Sequence, residues 1–428
     1  MTQNGKNQSS IDRRGFLKGG SAALAAAALA RPSFAYGPVS HADEIRVGLI
    51  GCGGRGTGAA ANALQAEPRA KLVAVCDLFA DQLESSLAAL KGGPFADRVT
   101  VEADRKFTGF DGYKSLIDCV DVVLLCTSPH YRPLHLEAAV SAGKHVFCEK
   151  PVAVDAPGLR QVMETCAKAR EKRLNVVSGL CYRYQDEKIE TLKRIHDGAV
   201  GEIVALQCTY NASGLWHRGR NSEWSEMEQQ NRNWLYYSWL SGDHIAEQSI
   251  HSLDKILWAM KDEAPMKVTA SGGRSVRTDP MYGNVYDHFN TVFEWQNGVR
   301  LFHSCRQWQD ADTDVSDFVY GRKGVAAIQH HRIRGENSWQ WKGPGSDMYV
   351  REHEALFKAI REDQPINNGD YMCKSTLMAI MGRMSAYTGK TLTWEQALAS
   401  KQVLGPREYA WGEVSVDAVA RPGETPFV

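Results

Sequence analysis

Between residues 44 and 179 apolar positions come in short unbroken runs separated by longer mixed stretches. IRVGLI (45–50), KLVAVC (71–76), DVVLLC (121–126), KHVFCEK (144–150) and RLNVVSG (173–179) are such runs. An unbroken apolar run of this length suits a strand buried on both faces. The stretches between them read as helices: one opens near Gly54, and PLHLEAAVSAG (133–143) ends in a glycine stop. Strand alternating with helix predicts a parallel, doubly wound sheet.

After about residue 200 the pattern changes. GEIVALQCTYNA (201–212), MKVTASGGRSV (266–276), DHFNTVFEW (287–295) and GVRLFHSCRQW (298–308) are longer and often alternate apolar with polar. That alternation predicts strands with one buried face, and Asn297-Gly298 predicts a hairpin. Two helices follow, over roughly 350–362 and 371–388. The fold class is therefore α/β: an N-terminal doubly wound sheet over 44–178, then an α+β domain over 179–390 with a large, mostly antiparallel sheet. Residues 391–428 are expected to pack on the fold as a C-terminal extension.

The first 35 residues read as a leader. DRRGFLK (12–18) is followed by the short apolar run GGSAALAAAALA (19–30) and by Ser33-Phe34-Ala35, a small-x-small cleavage site. The Arg13-Arg14 pair makes it similar to a twin-arginine signal, with 36–43 as a linker. This predicts passage through the twin-arginine machinery to a periplasmic or other extracytoplasmic space. No later run is long enough to span a bilayer. Lysine plus arginine equals aspartate plus glutamate, 50 each, so no net field is available to gather nucleic acid. The ten cysteines form no C-x-x-C pair, and Cys76, Cys126 and Cys148 fall in the apolar runs. They read as small core residues, so no metal centre or disulfide framework is expected.

The first strand leads into GLIGCGGRG (48–56), which holds Gly51-x-Gly53-x-x-Gly56 together with Gly54 and Arg55. Such a loop between strand and helix lets a backbone turn tightly and approach a pyrophosphate, which then meets the helix N-terminus. Asp77 ends the second strand 21 residues after Gly56, the place from which an acid hydrogen-bonds a ribose 2′-OH. An acid there repels a 2′-phosphate, which favours NAD over NADP. Glu149-Lys150-Pro151 ends a later strand, and ligands of open parallel sheets lie beyond the strands' carboxyl ends.

The glycine loop, TSPHYRPLH (127–135) and EKP (149–151) together resemble the glucose–fructose oxidoreductase, inositol dehydrogenase and MocA family. EHEALFKAI (352–360), STLMAIMGRMSAYTGKTLTWEQAL (375–398) and YDHF (286–289) extend the resemblance over most of the chain. It implies a Rossmann domain and a second sheet whose face covers a nicotinamide. It also implies cofactor contacts at Thr127, Pro129, His130, Glu149 and Lys150, and catalysis by Lys150 with an Asp-x-x-x-His pair.

In SGDHIAEQSIHSLD (241–254), Glu247 and His251 stand at that pair's positions, with Glu in place of Asp, and Asp254 follows as a companion. Steps of four and three residues put all three on one face of a helix. Lys150, Glu247 and His251 are thus the expected catalytic residues, and Asp254 a substrate contact. The aromatic-rich segment 209–240 supplies Trp216, Arg232 and Trp234, suited to stacking on a sugar ring and bonding its hydroxyls, or to a subunit interface. Tyr182, Arg183, Tyr286 and His288 are further wall candidates. Three functions fit: an NAD(P)-dependent sugar or cyclitol oxidoreductase, a redox-neutral glycosidase or lyase working by transient oxidation, and a non-catalytic sensor. A homodimer or homotetramer is expected.

Overall fold

The structure is a computed structural model that describes residues 43–428. The leader and most of the linker lie outside the described residues. Six strands form the first sheet: β1 (Ile45–Ile50), β2 (Ala70–Asp77), β3 (Lys106–Thr108), β4 (Val122–Leu125), β5 (His145–Cys148) and β6 (Val176–Ser178). All pair in parallel, in the order β3-β2-β1-β4-β5-β6. The order reverses direction between β1 and β4, which opens a crevice above their carboxyl ends. β4 and β5 are buried at every position because helices cover both faces of the sheet. The three-residue β3 carries too little pattern to be read from sequence.

The second sheet has nine strands: β7 (Ile203–Ala212), β8 (Lys267–Gly273), β9 (His288–Glu294), β10 (Arg300–Gln307), β11 (Asp314–Gly321), β12 (Gly324–Ala327), β13 (Arg332–Gly335), β14 (Trp339–Gln340) and β15 (Leu392–Thr393). Their order is β14-β13-β12-β11-β7-β10-β9-β8-β15. Every pair is antiparallel except β7 with β10. The hairpin at Asn297-Gly298 joins β9 to β10, with Gly298 at φ +84°. β10 alternates buried with less buried positions; Leu301 is sealed while Phe302 is half exposed on the outer face.

The helix Gly369–Thr388 lies between the layers, and its residues are buried on nearly every side. A helix apolar all round belongs in a core. Met378 and Met381 join one continuous cluster with Val146 of the first sheet and Phe289 and Leu301 of the second. The two sheets therefore share a core. The helix Met348–Arg361 returns to the first layer, where Leu356, Phe357 and Ile360 pack with Leu49 and Phe147. All ten cysteines are free thiols. Among the described residues no helix is long and apolar enough to cross a membrane, and no His/Cys/Asp/Glu group is placed to hold a metal.

Candidate active site

A cleft of about 520 Å³ runs from the glycine turn to the inner face of the second layer. At one end stand Gly51, Gly53, Gly54 and Arg55 with Asp77; at the other Lys150, Glu247 and His251. Gly51 has φ +98°, and a Cβ there would lie 2.5 Å from the Thr127 backbone nitrogen. A Cβ on Gly56 would strike the Gly51 carbonyl oxygen at 1.8 Å. Both glycines are thus required by the protein's own backbone. Gly53 is different: a Cβ would meet nothing within 4 Å. That open space at the start of the helix Gly54–Ala66 is where a pyrophosphate would pass, so the cradle fits a dinucleotide.

Asp77 is held in place at the dinucleotide end by backbone amides. Its carboxylate takes hydrogen bonds from the backbone N–H of Cys52 at 2.6 Å and of Phe79 at 3.0 Å. Burial raises its pKa while those amides pull it down. Arg55 does not reach freely toward a phosphate. Its guanidinium donates to Glu149 at 2.5 Å and to Glu352 at 3.0 Å and lies 4.6 Å over the Tyr349 ring. Burial would push the Glu149 carboxyl up, but Arg55, Lys150 and Arg132 outweigh it and hold it below the usual range. Thr127 lines the cleft, whereas Pro129 and His130, expected at the cofactor, do not. His130 is enclosed and hydrogen-bonded to the Tyr409 hydroxyl at 2.8 Å, and burial lowers its pKa to about 4.

Lys150 follows β5, with a cis Lys150–Pro151 peptide. Its Nζ donates to the Glu247 carbonyl oxygen at 2.6 Å and lies 3.4 Å from Glu247 Oε1. The expected single helix is broken. His244–Glu247 is one short turn and Ile250–Ala259 another helix, with Gln248 at φ −112° between them; the Ser249 hydroxyl pairs with His303 Nε2 at 2.7 Å. Upstream, Asp243 has φ +68°, and its carboxylate accepts from the backbone N–H of His244 and Tyr286 and from the Tyr387 hydroxyl. This anchor sets the turn that presents Glu247.

His251 still reaches the same cleft across the break. Its Nδ1 is buried with no hydrogen-bond partner, and its ring meets Tyr182 edge-on with centroids 5.3 Å apart. Burial, then Lys150, Lys255 and Arg55, hold the imidazole well below its ordinary pKa, so it is uncharged at neutral pH. Tyr182 does not line the cleft; it backs His251, with the Lys188 and Lys255 ammoniums 4.5 and 4.6 Å from its ring centre.

Besides Tyr182, four expected substrate contacts are placed elsewhere. The Asp254 carboxylate accepts from Arg183 Nη2 at 2.8 Å and from the Ser375 hydroxyl at 2.7 Å. Arg183 also meets Asp262 and stacks 4.0 Å over Tyr371. This pair is a buried strut, not a substrate contact. Asp254→Ala should destabilise the fold by about 1–3 kcal/mol, because the buried Ser375 hydroxyl and part of the Arg183 guanidinium lose their acceptor while Asp262 still pairs the charge. A fall in urea midpoint with KM unchanged in the remaining folded enzyme would check this. Tyr286 is a core residue whose hydroxyl donates to the Ala420 carbonyl, and His288 is bonded to Asp287 at 2.7 Å outside the cleft. Trp216, Trp234 and Arg232 do line the cleft, but Arg232 lies at the dinucleotide end, paired with Asp81 at 3.0 Å. Sequence reasoning missed Tyr210 and Gln248, which line the cleft near Glu247. Gln248 was legible only as the neighbour of Glu247; Tyr210 lay at the edge of the aromatic-rich segment 209–240 without being singled out from it.

A dinucleotide cradle in one cleft with Lys150, Glu247 and His251 fits a dinucleotide-dependent oxidoreductase. Residues 45–178 match the oxidoreductase family with an NAD-binding Rossmann fold, and residues 190–327 match the GFO/IDH/MocA C-terminal domain. The chain belongs to the GFO/IDH/MocA family. It is 28% identical to inositol 2-dehydrogenase of Klebsiella pneumoniae (strain 342) over 75% of this chain and 86% of that one. A glycosyl hydrolase family 109 protein of Shewanella amazonensis is 29% identical over 54% of this chain and 52% of its own length. The fold superposes on aldose-aldose oxidoreductase from Caulobacter crescentus with TM-score 0.64 at 19% identity, covering 82% of this chain and 99% of that one.

Proposed function

We propose that the protein transfers hydride between a hydroxyl-bearing carbon of a sugar or cyclitol and an NAD that it holds tightly. The observation that carries this is the meeting of Lys150, Glu247 and an uncharged, buried His251 in the cleft that begins at Gly51–Gly56 and Asp77. When bound, the nicotinamide supplies the carbon that takes and returns hydride. The chain supplies the rest. His251 accepts the hydroxyl proton as hydride leaves the carbon. The Lys150 ammonium stabilises the developing alkoxide. Glu247, tied to Lys150, orients a substrate hydroxyl. Trp216 and Trp234 offer apolar faces to the ring, and Asp77 favours a free ribose 2′-OH, hence NAD.

The twin-arginine-type leader supports export of the folded, loaded protein to an extracytoplasmic space. Free NAD is scarce there, so the reaction must restore its own cofactor. Either a second sugar takes the hydride back, or the oxidised sugar loses its neighbouring C–H proton and its aglycone, takes up water across the double bond so formed, and is then reduced again. Similarity to a glycosyl hydrolase family 109 protein favours carrying this second reading. The half-exposed outer face of the second sheet supports a dimer or tetramer.

Acid denaturation of purified protein is expected to release close to one NAD per chain. Sugars or glycosides should then turn over with no cofactor added: aglycone release identifies the glycosidase, and paired oxidation and reduction of two sugars the oxidoreductase. Absence of bound nucleotide, with turnover strictly dependent on added NAD, would refute the closed cycle.

A further inference from the structure

The dinucleotide end of the cleft is backed by chain that lies beyond both family matches, which end at residue 327. Phe79 and Phe110 line the cleft beside Asp77. The Arg232 guanidinium lies 4.0 Å from the Phe79 ring centre, and the Trp411 ring lies 5.7 Å from it. Trp411 also meets Phe110 at 4.8 Å, and Tyr409 stacks on Phe110 at 5.8 Å. Trp411 is 48% exposed, so core formation does not account for its place.

The segment is fastened at several points. The Leu404 N–H donates to Asp155 Oδ2 at 2.9 Å, the Tyr409 hydroxyl pairs with His130 Nε2 at 2.8 Å, and the Met227 N–H donates to the Gly412 carbonyl at 3.0 Å. Gly405 has φ +92°, and a Cβ there would come within 2.7 Å of Trp239 and 2.9 Å of His130. The chain thus runs flush against the layer below. Arg232 reaches in from the second domain to meet Asp81, four residues beyond Asp77, at 3.0 and 3.2 Å.

We propose that residues 404–414 and Arg232 form a strap that braces Phe79 and Phe110 over the adenosine half of the site and slows nucleotide release. This rests on the tightly held cofactor of the preceding section and gives it a structural cause. A nucleotide can leave only when its wall yields, and each bracing contact adds to that barrier.

The test is the exchange of bound NAD for isotopically labelled NAD in the full-length holoprotein. Tyr409→Ala with Trp411→Ala should speed exchange at least ~10-fold, the scale of two or three lost aromatic contacts. Asp81→Asn, at a 60% exposed side chain that carries little fold energy, should speed it by about 2–5-fold by removing the partner that ties Arg232 to the first layer and leaving it only Glu228. Asp81→Asn decides the matter if the double variant does not fold. Unchanged exchange in a folded variant while the wild type stays loaded would overturn the strap and leave the tight cofactor standing. A wild type that exchanges as fast as it is mixed would overturn both.

Discussion

Lys150→Ala is expected to lower turnover at least ~100-fold and to move the acid limb of the pH–rate profile upward. The first effect follows from the loss of a fixed ammonium where an alkoxide develops, in a cleft where little water compensates. The second follows from the charges around His251. After burial, Lys150 is the largest influence holding that imidazole below its ordinary range, ahead of Lys255 and Arg55. A base must be unprotonated to act, so the wild-type acid limb should lie below about 6.5, the unperturbed imidazole value. Without Lys150 the imidazole protonates at a higher pH than in the wild type, so the variant's acid limb should begin at a higher pH than the wild type's while burial, Lys255 and Arg55 still hold it below the ordinary range. Single-turnover nicotinamide absorbance as a function of pH measures both effects. A variant that keeps near-normal rates removes Lys150 from the mechanism.

His251→Gln should cost at least ~100-fold in kcat, the lower range for a lost acid–base group, with a smaller change in KM. Gln keeps much of the volume packed against Tyr182, so the loss reports chemistry more than collapse. The acid limb should also vanish, since the group that titrates there is gone. Retention of that limb with a reduced rate would assign the base to another residue and leave His251 a structural role.

The first layer was legible because a doubly wound sheet writes itself locally. Leu49, Val123, Leu124 and Phe147 sit in unbroken apolar runs because helices cover both faces. The glycine turn was legible for the same reason: Gly51 and Gly56 answer to backbone atoms close by. β11 was not legible because Asp314, Ser316 and Asp317 interrupt its apolar alternation, and β12–β14 because each is only two to four residues long. Asp317 tolerates burial only because Lys255, 62 residues away, pairs with it.

The sequence by itself determined the parallel layer, the dinucleotide turn with Asp77, the Lys150 position at a strand's carboxyl end and the hairpin at Asn297-Gly298. Each depends on neighbours a few residues away, and periodicity or turn chemistry reports such neighbours directly. Only the tertiary structure decided which members of 241–254 stand in the cleft. A helical step names a face, not the partner that face meets, and Asp254 met Arg183 and Ser375 while His251 met the cleft. The same holds for Arg232 and Trp411. Their partners, Asp81, Phe79 and Phe110, lie far off in the chain and become neighbours only once both layers are packed.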